Sequence, residues 1–421
     1  MYLQSEEHAG GAAAERPGGR PHVCFVAPHA WPVLARDPRL PVVGGAEVQQ
    51  AILARLFAGN GYRVSMICLD FGQPARTRID GVEVHKAFRM SEGVPVLRFV
   101  HPRLTTLWRR LAEVDADIYY YRSASMWVGV LAEFCRRRGK RLVYAGASDK
   151  DFVPGIGGQI RYARDRWLYR RGLAQAHAIV AQNAAQAESC RAVHRREAVI
   201  IPSCYRPPPP AAPERKDVVL WVGTVYEDKR PELFLELAKR LPERRCVLIG
   251  GPRRGAEAFY ERIRAQAAAV PNVEFTGFLP LEQAEPWFDR ARVFVNTSRY
   301  EGMPNTFLQA WARGVPTVAT VEVGAPVHRV ARDLDELACE VQHAFTEGPN
   351  ARCREYFARR HSCEEVLRLY GNLFDALMPS PPDKGGVSRR RTGGWFSQKA
   401  NPPLAKIARS PLHRGAAEAD R

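Results

Sequence analysis

The sequence lacks the features that mark several classes of protein. No stretch approaches the ~18 consecutive apolar residues of a membrane-spanning helix, and the first 20 residues hold no apolar core of a secretion signal. The nine cysteines form no CxxC pair and the eleven histidines form no HxxxH pair. These absences predict a cytoplasmic protein with reduced thiols, without disulfides and without a structural metal. No Gly-x-Gly-x-x-Gly follows the first predicted strand of either half, which disfavours an NAD-dependent oxidoreductase.

What is present is typical of a globular protein. The chain has 421 residues, of which 46% are hydrophobic and 25% charged, enough for two or three domains. The net charge of +17 favours anionic partners such as nucleic acid, anionic lipid or phosphorylated substrates. Residues 1–20 and 379–421 are poor in large apolar residues, so we predict that both ends are disordered, the second as a basic tail.

Short Val, Ile and Leu runs alternate with helical patterns, as in parallel sheets covered on both faces. We therefore predict an α/β protein of two Rossmann-like, doubly wound domains facing a central cleft. The first domain spans 21–201 and the second, with its closing helices, 217–378; a proline-rich linker spans 202–216. Strands are predicted at Val23–Ala27, Arg63–Cys68, Ile118–Tyr121, Arg141–Ala145, Ala178–Ala181, Val218–Val222, Cys246–Ile249, Val273–Phe275, Val293–Asn296 and Thr317–Thr320. Helices are predicted near Ala46–Asn60, Ala124–Arg138, Gln159–Ala174, Ala184–Val193, Pro231–Leu241, Ala256–Ala269, Leu281–Arg290 and Thr306–Arg313.

The segment Ala291–Thr320 carries the most chemical information. It is a buried strand, a polar loop, a short helix stopped by Gly314 and another buried strand. Asn305 is predicted to cap that helix, whose positive amino end would hold a phosphate. Glu301 on the loop can accept hydrogen bonds from sugar hydroxyls, and Gln309 is predicted to point to the same side.

Together with Val222–Pro231, Leu248–Pro252 and Val273–Pro280, this segment resembles the family 4 retaining glycosyltransferases of the GT-B fold. The resemblance implies that the second half binds a nucleotide-sugar. It further implies that Glu301 contacts the transferred sugar, that position 309 contacts the ribose, and that Lys229 neutralises the diphosphate. The donor-binding residues predicted on this basis are Gly44, Gly45, Gly223, Gly251, Gly302, Met303, Pro304, Asn305, Thr306 and Gln309.

The sequence departs from the family pattern at three places. Gln309 stands where the family has a second signature Glu, and an amide lacks the charge of a carboxylate. Thr224 stands where the family usually has an Arg, and we predict that Arg230 replaces it as a phosphate ligand; the alternative is that Lys229 and Arg230 are simply solvated. The span Val321–Asp333 is shorter than usual, which leaves the sheet edge undefined.

In the first half, Gly44 and Gly45 precede a helix whose amino end could face an anion; the alternative is a tight turn without a ligand. The resemblance implies front-side attack, in which the leaving phosphate takes the acceptor's proton, so no histidine base is required. The acceptor-side candidates are Arg122, Ser123, Asp149 and Asp151, with capping as the equally weighted alternative. Asp-x-Asp pairs at 115/117, 149/151 and 333/335 are discounted as metal ligands, because the first and third are predicted at helix boundaries.

The segment 161–171 holds five Arg together with Tyr162, Trp167, Leu168 and Tyr169. Such a basic helix with aromatic residues suits an anionic membrane surface. The alternative is a surface helix whose aromatic residues pack on the first sheet.

The sequence as a whole favours a cytoplasmic, metal-independent hexosyltransferase of the retaining type, with the inner face of the membrane as a candidate peripheral location. It would move a sugar from a nucleotide-sugar co-substrate, without another cofactor, to a glycan or lipid-linked acceptor in polysaccharide or glycolipid assembly. Two alternatives keep the fold: a degenerate nucleotide-sugar-binding subunit without turnover, and a nucleotide-sugar epimerase. Specific nucleic-acid binding is not expected, since no recognition module is present.

Overall fold

The computed structural model describes residues 19–37, 44–94, 99–153, 160–209 and 216–378. Disorder is predicted for residues 1–20 and for the tail 379–421, and of these positions only 19 and 20 are among the described residues. Linker positions 210–215 and the first position of the helix predicted from Gln159 also lie outside them.

The first domain is built on an eight-stranded sheet. Its strand order is β3-β4-β2-β1-β5-β6-β7-β8, and every neighbouring pair is parallel except β3 and β4. The strands are β1 Val23–Val26, β2 Val64–Cys68, β3 Arg76–Ile79, β4 Val82–Lys86, β5 Ile118–Arg122, β6 Arg141–Ala145, β7 Ala178–Ala181 and β8 Val199–Ile200. The helices are α1 Trp31–Ala35, α2 Gly45–Gly59, α3 Thr105–Val114, α4 Trp127–Arg138, α5 Ala163–Gln175 and α6 Ala184–His194.

The second domain is built on a fully parallel six-stranded sheet of order β11-β10-β9-β12-β13-β14. Its strands are β9 Val218–Val222, β10 Arg245–Ile249, β11 Val273–Gly277, β12 Ala291–Asn296, β13 Thr317–Ala319 and β14 His328–Val330. The helices that follow are α7 Pro231–Arg240, α8 Glu257–Ala268, α9 Leu281–Arg290, α10 Asn305–Ala312, α11 Leu334–Glu347, α12 Ala351–His361 and α13 Cys363–Leu377.

Each sheet is buried on both faces, which explains the continuous apolar runs of its central strands. Val23 and Phe25 of β1 belong to one core of the first domain, whereas Cys24 and Val26 belong to the core on the opposite face. In the second domain Val219 and Leu220 divide between two cores in the same way. The prediction of two doubly wound α/β domains is confirmed.

Helix α13 packs on the first domain, whereas the sequence predicted that residues 217–378 all belong to the second domain. Its buried residues Val366, Tyr370, Leu373 and Phe374 belong to a core of the first domain. Their spacing forms one apolar stripe, which is covered only when the helix packs on that domain. The chain therefore crosses between the domains twice, once before β9 and once between α12 and α13.

The elements that sequence patterns miss are short or peripheral. Strand β3 reads Arg-Thr-Arg-Ile and alternates exposed with half-buried positions at the sheet edge, so it lacks the apolar run that predicts a central strand. Strand β14 completes the other sheet at the span where the sequence left the edge undefined. Gly314 does stop α10, with φ of 75° directly after the C-cap residue.

Candidate active site

The amino-terminal ends of α2 and α10 meet across the cleft between the two domains. Asn305, the first residue of α10, donates a hydrogen bond from Nδ2 to the carbonyl oxygen of Gly45 at 3.2 Å. Its Oδ1 accepts one from Gln49 Nε2 of α2 at 2.9 Å. Since free N–H groups and positive dipole ends lie at both helix starts, this junction is suited to an anion.

Asn305 does not cap α10, contrary to the sequence prediction. Pro304 occupies the N-cap position in an extended conformation, and no side chain caps the helix. The Asn305 side-chain amide instead forms hydrogen bonds with α2 of the first domain. Asn305 and Gln49 are separated by 256 residues in the sequence, so local patterns cannot reveal this contact. At the start of α2, the Glu47 carboxylate lies close against Gly44, so a negative charge from the chain already sits at that helix end.

Lys229 and Glu301 form an ion pair at the carboxyl edge of the second sheet. Lys229 Nζ, Ser298 Oγ at 2.6 Å and Asn296 Nδ2 at 3.1 Å all donate to Glu301 Oε1. The Glu301 side chain is 12% exposed. Among the described residues no donor reaches its Oε2, which leaves that oxygen for a hydroxyl of a bound sugar.

The loop that carries Lys229 is fixed by buried polar contacts. Thr297 Oγ1 accepts a hydrogen bond from Trp221 Nε1 at 3.0 Å and donates to the carbonyl oxygen of Lys229 at 2.7 Å. Arg230, with φ of 45°, donates from Nε to Thr297 O and from Nη2 to Thr320 Oγ1. Two nitrogens of Arg230 thus hold the loop to β12 and to the end of β13, and its predicted contact with phosphate stays a prediction.

Glycines allow three loops to approach closely at the same edge. A Cβ added to Gly250 would lie 1.9 Å from the carbonyl oxygen of Gly223, and one on Gly251 would lie 2.9 Å from Phe278 Cβ. Phe278 is 43% exposed beside these glycines and offers an aromatic face for stacking. The sequence pattern Val273–Pro280 assigns no role to Phe278.

Gly302 brings the signature loop into contact with the first domain. A Cβ at this position would lie 3.0 Å from Ala147 O, Gln182 Oε1 and Gln186 Nε2. Met303 is buried in a core of the second domain and supports the loop from beneath. Thr306 is half-buried in the first turn of α10.

Gln309 does not face an open pocket, because it is buried and bonded within the second domain. Its Nε2 donates to Glu285 Oε1 of α9 at 2.8 Å. Glu285 Oε2 accepts hydrogen bonds from Tyr205 at 2.6 Å and from Arg313 at 2.7 Å. Sequence reasoning missed Glu285, Arg313 and Tyr205, which no motif joins.

Asp149 is the acceptor-side candidate that faces the second domain. Its Oδ1 accepts a hydrogen bond from Gln186 Nε2 at 2.8 Å. Burial raises the pKa of Asp149, and the negative charge of Glu301 raises it further. Lys150 lies at the same place, with Nζ 3.5 Å from Asp228 Oδ2 and 4.2 Å from the ring centroid of Tyr300. Neither Lys150 nor Gln186 was identified from the sequence.

Two of the other acceptor-side candidates have structural partners, and the third, Ser123, has a strained backbone. Asp151 is buried and its Oδ2 accepts hydrogen bonds from the amides of Ala147 and Ser148, so it completes a capping box as the alternative held. Arg122 is buried and donates to Ser203 Oγ at 3.2 Å, beneath the first interdomain crossing. Ser123 adopts φ of 86° at the end of β5, a left-handed conformation that costs strain in a non-glycine residue.

The aromatic residues of the basic segment 161–171 fit both interpretations in part, a membrane-facing helix and a helix packed on the first domain. Tyr169 is buried, and its hydroxyl lies 2.8 Å from that of Tyr144 in the first domain. Tyr162 and Trp167 are each 59% exposed, and Arg161 and Arg171 stack over their rings. One aromatic residue therefore packs on the domain while two face outward.

Across the described ranges, no helix combines the length and the apolar character needed to cross a bilayer. Within residues 19–37, 44–94, 99–153, 160–209 and 216–378, no three His, Cys, Asp or Glu side chains come together as a metal site.

Comparisons with known proteins identify the fold and the family of this chain. Residues 43–206 match the family described as Glycosyltransferase Family 4, and residues 216–346 match Glycosyl transferases group 1. The sucrose-phosphate synthase of Thermosynechococcus elongatus has a similar structure, with a TM-score of 0.67 and 17% identity over 85% of this chain and 99% of that one. Anabaena HepE, solved with UDP and glucose, gives a TM-score of 0.66 and 14% identity over 85% of this chain and 100% of that one.

Sequence relatives match over shorter stretches. A D-inositol 3-phosphate glycosyltransferase of Mycobacterium sp. strain KMS is 26% identical over 206 residues, which are 44% of this chain and 46% of the relative. The Vi polysaccharide biosynthesis protein VipC/TviE of Salmonella typhi is 30% identical over 117 residues, 26% of this chain and 20% of the relative. The chain thus spans less than half the length of these curated relatives.

The two facing domains define the GT-B fold. The chain belongs to the family 4 GT-B glycosyltransferases.

Proposed function

We propose that this protein is a retaining glycosyltransferase that moves a hexose from a nucleotide-sugar to a hydroxyl of a glycan or lipid-linked acceptor. The observation that carries the proposal is the Lys229 and Glu301 pair at the carboxyl edge of the second sheet, on the loops that lead into α7 and α10. A relative in fold is described with UDP and glucose, which supports a donor of this type.

The diphosphate of the donor would be held by positive charge from the chain itself. Lys229 keeps further N–H donors beyond the one directed at Glu301, and the first N–H groups of α10 lack intrahelical acceptors. These groups would stabilise the charge that develops on the leaving diphosphate. Because cationic and dipolar groups of the chain fill this role, we propose a reaction that does not depend on a metal.

The sugar and the acceptor would be oriented by two carboxylates on opposite sides of the cleft. Glu301, fixed through Oε1 by three donors, presents Oε2 to hydroxyls of the donor sugar. Asp149, fixed by Gln186, would accept a hydrogen bond from the attacking hydroxyl and align it. The acceptor's proton passes to the leaving phosphate oxygen as the glycosidic bond forms on the same face.

The test is binding and turnover with a panel of UDP-, GDP-, ADP- and dTDP-sugars, each with magnesium and with EDTA. One nucleotide class should raise the melting temperature and release nucleoside diphosphate. Lys229→Met and Glu301→Gln should weaken binding about 10–100-fold, the loss of one charge-assisted hydrogen bond. Matched controls are Lys239→Met and Glu227→Gln, an exposed lysine and an exposed carboxylate.

A second candidate function is a nucleotide-sugar-binding subunit without turnover. It is favoured by Gln309, whose amide is engaged with Glu285 where the family places a ribose-binding carboxylate. Stabilisation by one donor class, with no product against any acceptor extract, would establish this alternative. No stabilisation by any donor would contradict both functions.

We also propose that the enzyme acts at the inner face of the membrane. Tyr162 and Trp167 project from a segment rich in exposed Arg, and each basic residue near an anionic surface contributes ~1 kcal/mol. Sedimentation with phosphatidylglycerol vesicles should recover the protein, whereas phosphatidylcholine vesicles should not. The double variant Tyr162→Ser/Trp167→Ser should lose binding, while Tyr300→Ser, an equally exposed aromatic residue elsewhere, should retain it.

A further inference from the structure

The two segments by which the chain crosses between the domains lie side by side. On the first crossing, the amide of Tyr205 donates to the carbonyl oxygen of His361 at 3.2 Å. On the return crossing, the His361 ring donates from Nδ1 to the carbonyl oxygen of Ser203 at 2.8 Å. These two residues are separated by 158 positions in the sequence. Both bonds are buried, so the crossings are held in a fixed register.

Each crossing carries a cysteine at this pairing. Cys204 lies between Ser203 and Tyr205, and Cys363 lies two residues after His361. Both residues are almost fully buried in the same core, and each thiol shifts the pKa of the other. Gln49 fixes the backbone of Cys204 on both sides, since Cys204 N donates to Gln49 Oε1 and Cys204 O accepts from Gln49 Nε2.

The environment makes Cys363 the thiol of the pair that ionises more readily. The nearby Cys204 thiol lowers the pKa of Cys363 by more than burial raises it, and the neighbouring Arg206 lowers it further. Cys363 is also the first residue of α13, where the positive helix end stabilises a thiolate. The pKa of Cys204 is raised instead, by the Cys363 thiol and by burial.

We propose that Cys204 and Cys363 form a reversible disulfide that ties the two interdomain crossings together. With a hydroperoxide as oxidant, the Cys363 thiolate attacks one peroxide oxygen, the O–O bond breaks and a sulfenic acid forms. The other oxygen leaves as water or an alcohol after taking up a proton. The Cys204 thiol then attacks that sulfur, the S–O bond breaks and the hydroxyl leaves as water with the Cys204 proton. Two thiols are oxidised by two electrons and one peroxide is reduced; a dithiol reverses the change.

This disulfide would act on the movement of the domains rather than on the donor site, so it does not depend on the proposed function. Both crossings must change conformation when the cleft opens, because they are the chain's connections between the domains. A covalent bond between them would restrict that change. It would also close a long loop of the chain and stabilise the folded state.

The test treats the full-length protein with hydrogen peroxide, blocks remaining thiols with N-ethylmaleimide and analyses peptides without reduction. We expect a cross-linked peptide pair containing Cys204 and Cys363, lighter by two hydrogens and released by dithiothreitol. The oxidised protein should melt at a higher temperature and exchange amide hydrogens more slowly at both crossings.

Cys363→Ser and Cys204→Ser should each abolish the cross-link and the rise in melting temperature. Serine at the start of a helix is well tolerated, so Cys363→Ser keeps the test valid if Cys204→Ser does not fold. Cys339→Ser, which removes an exposed cysteine, should leave the cross-link intact. Oxidation of Cys339 without a link between Cys204 and Cys363, or a link without any change in melting temperature or exchange, would overturn the proposal.

Discussion

Gln309 of α10 donates a hydrogen bond to Glu285 of α9 at 2.8 Å, inside a buried network that also holds Arg313 and Tyr205. This contact gives a physical reason for the amide at a position where the family has a carboxylate. A second carboxylate beside Glu285 would place two negative charges within hydrogen-bonding distance in a buried site, which is strongly unfavourable.

Restoring the family's glutamate should therefore harm this protein. We expect Gln309→Glu to lower the free energy of unfolding at pH 7 by about 1–3 kcal/mol, measured by urea denaturation. The exchanged pair Glu285→Gln/Gln309→Glu should recover most of the loss, because one carboxylate and one amide again face each other. If Gln309→Glu kept wild-type stability and turned over faster, Glu285 would not be the reason that position 309 carries an amide instead of a carboxylate.

Gly302→Ala should reduce turnover while leaving the stability of the protein nearly unchanged. The added methyl would meet Ala147 O and two glutamine side chains at 3.0 Å across the cleft, so the domains could not approach as closely. We expect about a 10-fold or larger loss of kcat/KM, since small misplacements of reacting groups are costly. Gly59→Ala is the matched control, because a Cβ there has no neighbour within 4 Å. Equal activity of the two variants would mean that the contact at Gly302 has no part in the reaction.

Asp151 should make the protein less stable as the pH rises from about 4 to about 6. Burial raises the pKa of Asp151 from 3.8 to about 6, so in this range the folded state binds more protons than the unfolded state. Its contribution is fully present below pH 3.8 and is lost as the pH passes 6. Asp151→Asn should remove this dependence and raise stability at pH 7 by up to about 3 kcal/mol, from 1.36 kcal/mol per pKa unit.

Asp333→Asn is the control for this measurement. Asp333 is a helix cap that accepts a hydrogen bond from the Glu336 amide, a role that asparagine fills equally well. Denaturation curves between pH 4 and pH 7 should differ from those of the wild type for Asp151→Asn only. If Asp151→Asn lost stability more steeply than the wild type as the pH rises, the pH dependence could not be assigned to Asp151.

His361 should have the opposite effect, destabilising the protein on acidification. Burial lowers the pKa of His361 from 6.5 to about 4, so the unfolded state takes up a proton first. Its contribution is present above pH 6.5 and is lost as the pH falls towards 4, by about 3 kcal/mol in total. His361→Gln should show a shallower acid transition. An unchanged transition would indicate that His22, whose pKa burial lowers equally to about 4, dominates it.

Much of the second domain could be predicted from sequence because its chemistry is local. Glu301, Asn296 and Ser298 lie within six residues on one strand and its loop, so the strand and loop bring them together without help from distant segments. The ends of α10 show the limit of such reasoning. Gly314 stops the helix as predicted, whereas Asn305 is drawn away from capping by a partner in the other domain.

The acceptor-side candidates could not be told apart from the sequence, because their roles also depend on contacts with distant segments. Asp149 and Asp151 are two residues apart and chemically alike, yet one faces Glu301 and the other bonds to nearby amides in the interior. Strand and turn patterns predict that both follow β6. They do not predict which side chain turns towards the second domain.

The sequence by itself determined two doubly wound α/β domains and the placement of the signature segment, because periodicity, turn residues and apolar runs act over a few residues. Only the tertiary structure decided that α13 returns to the first domain, that Gln309 is hydrogen-bonded to Glu285, and that Cys204 and Cys363 are buried in one core. Those contacts join residues far apart in the chain. They depend on how whole helices and sheets pack to bury apolar surface, which no single segment encodes.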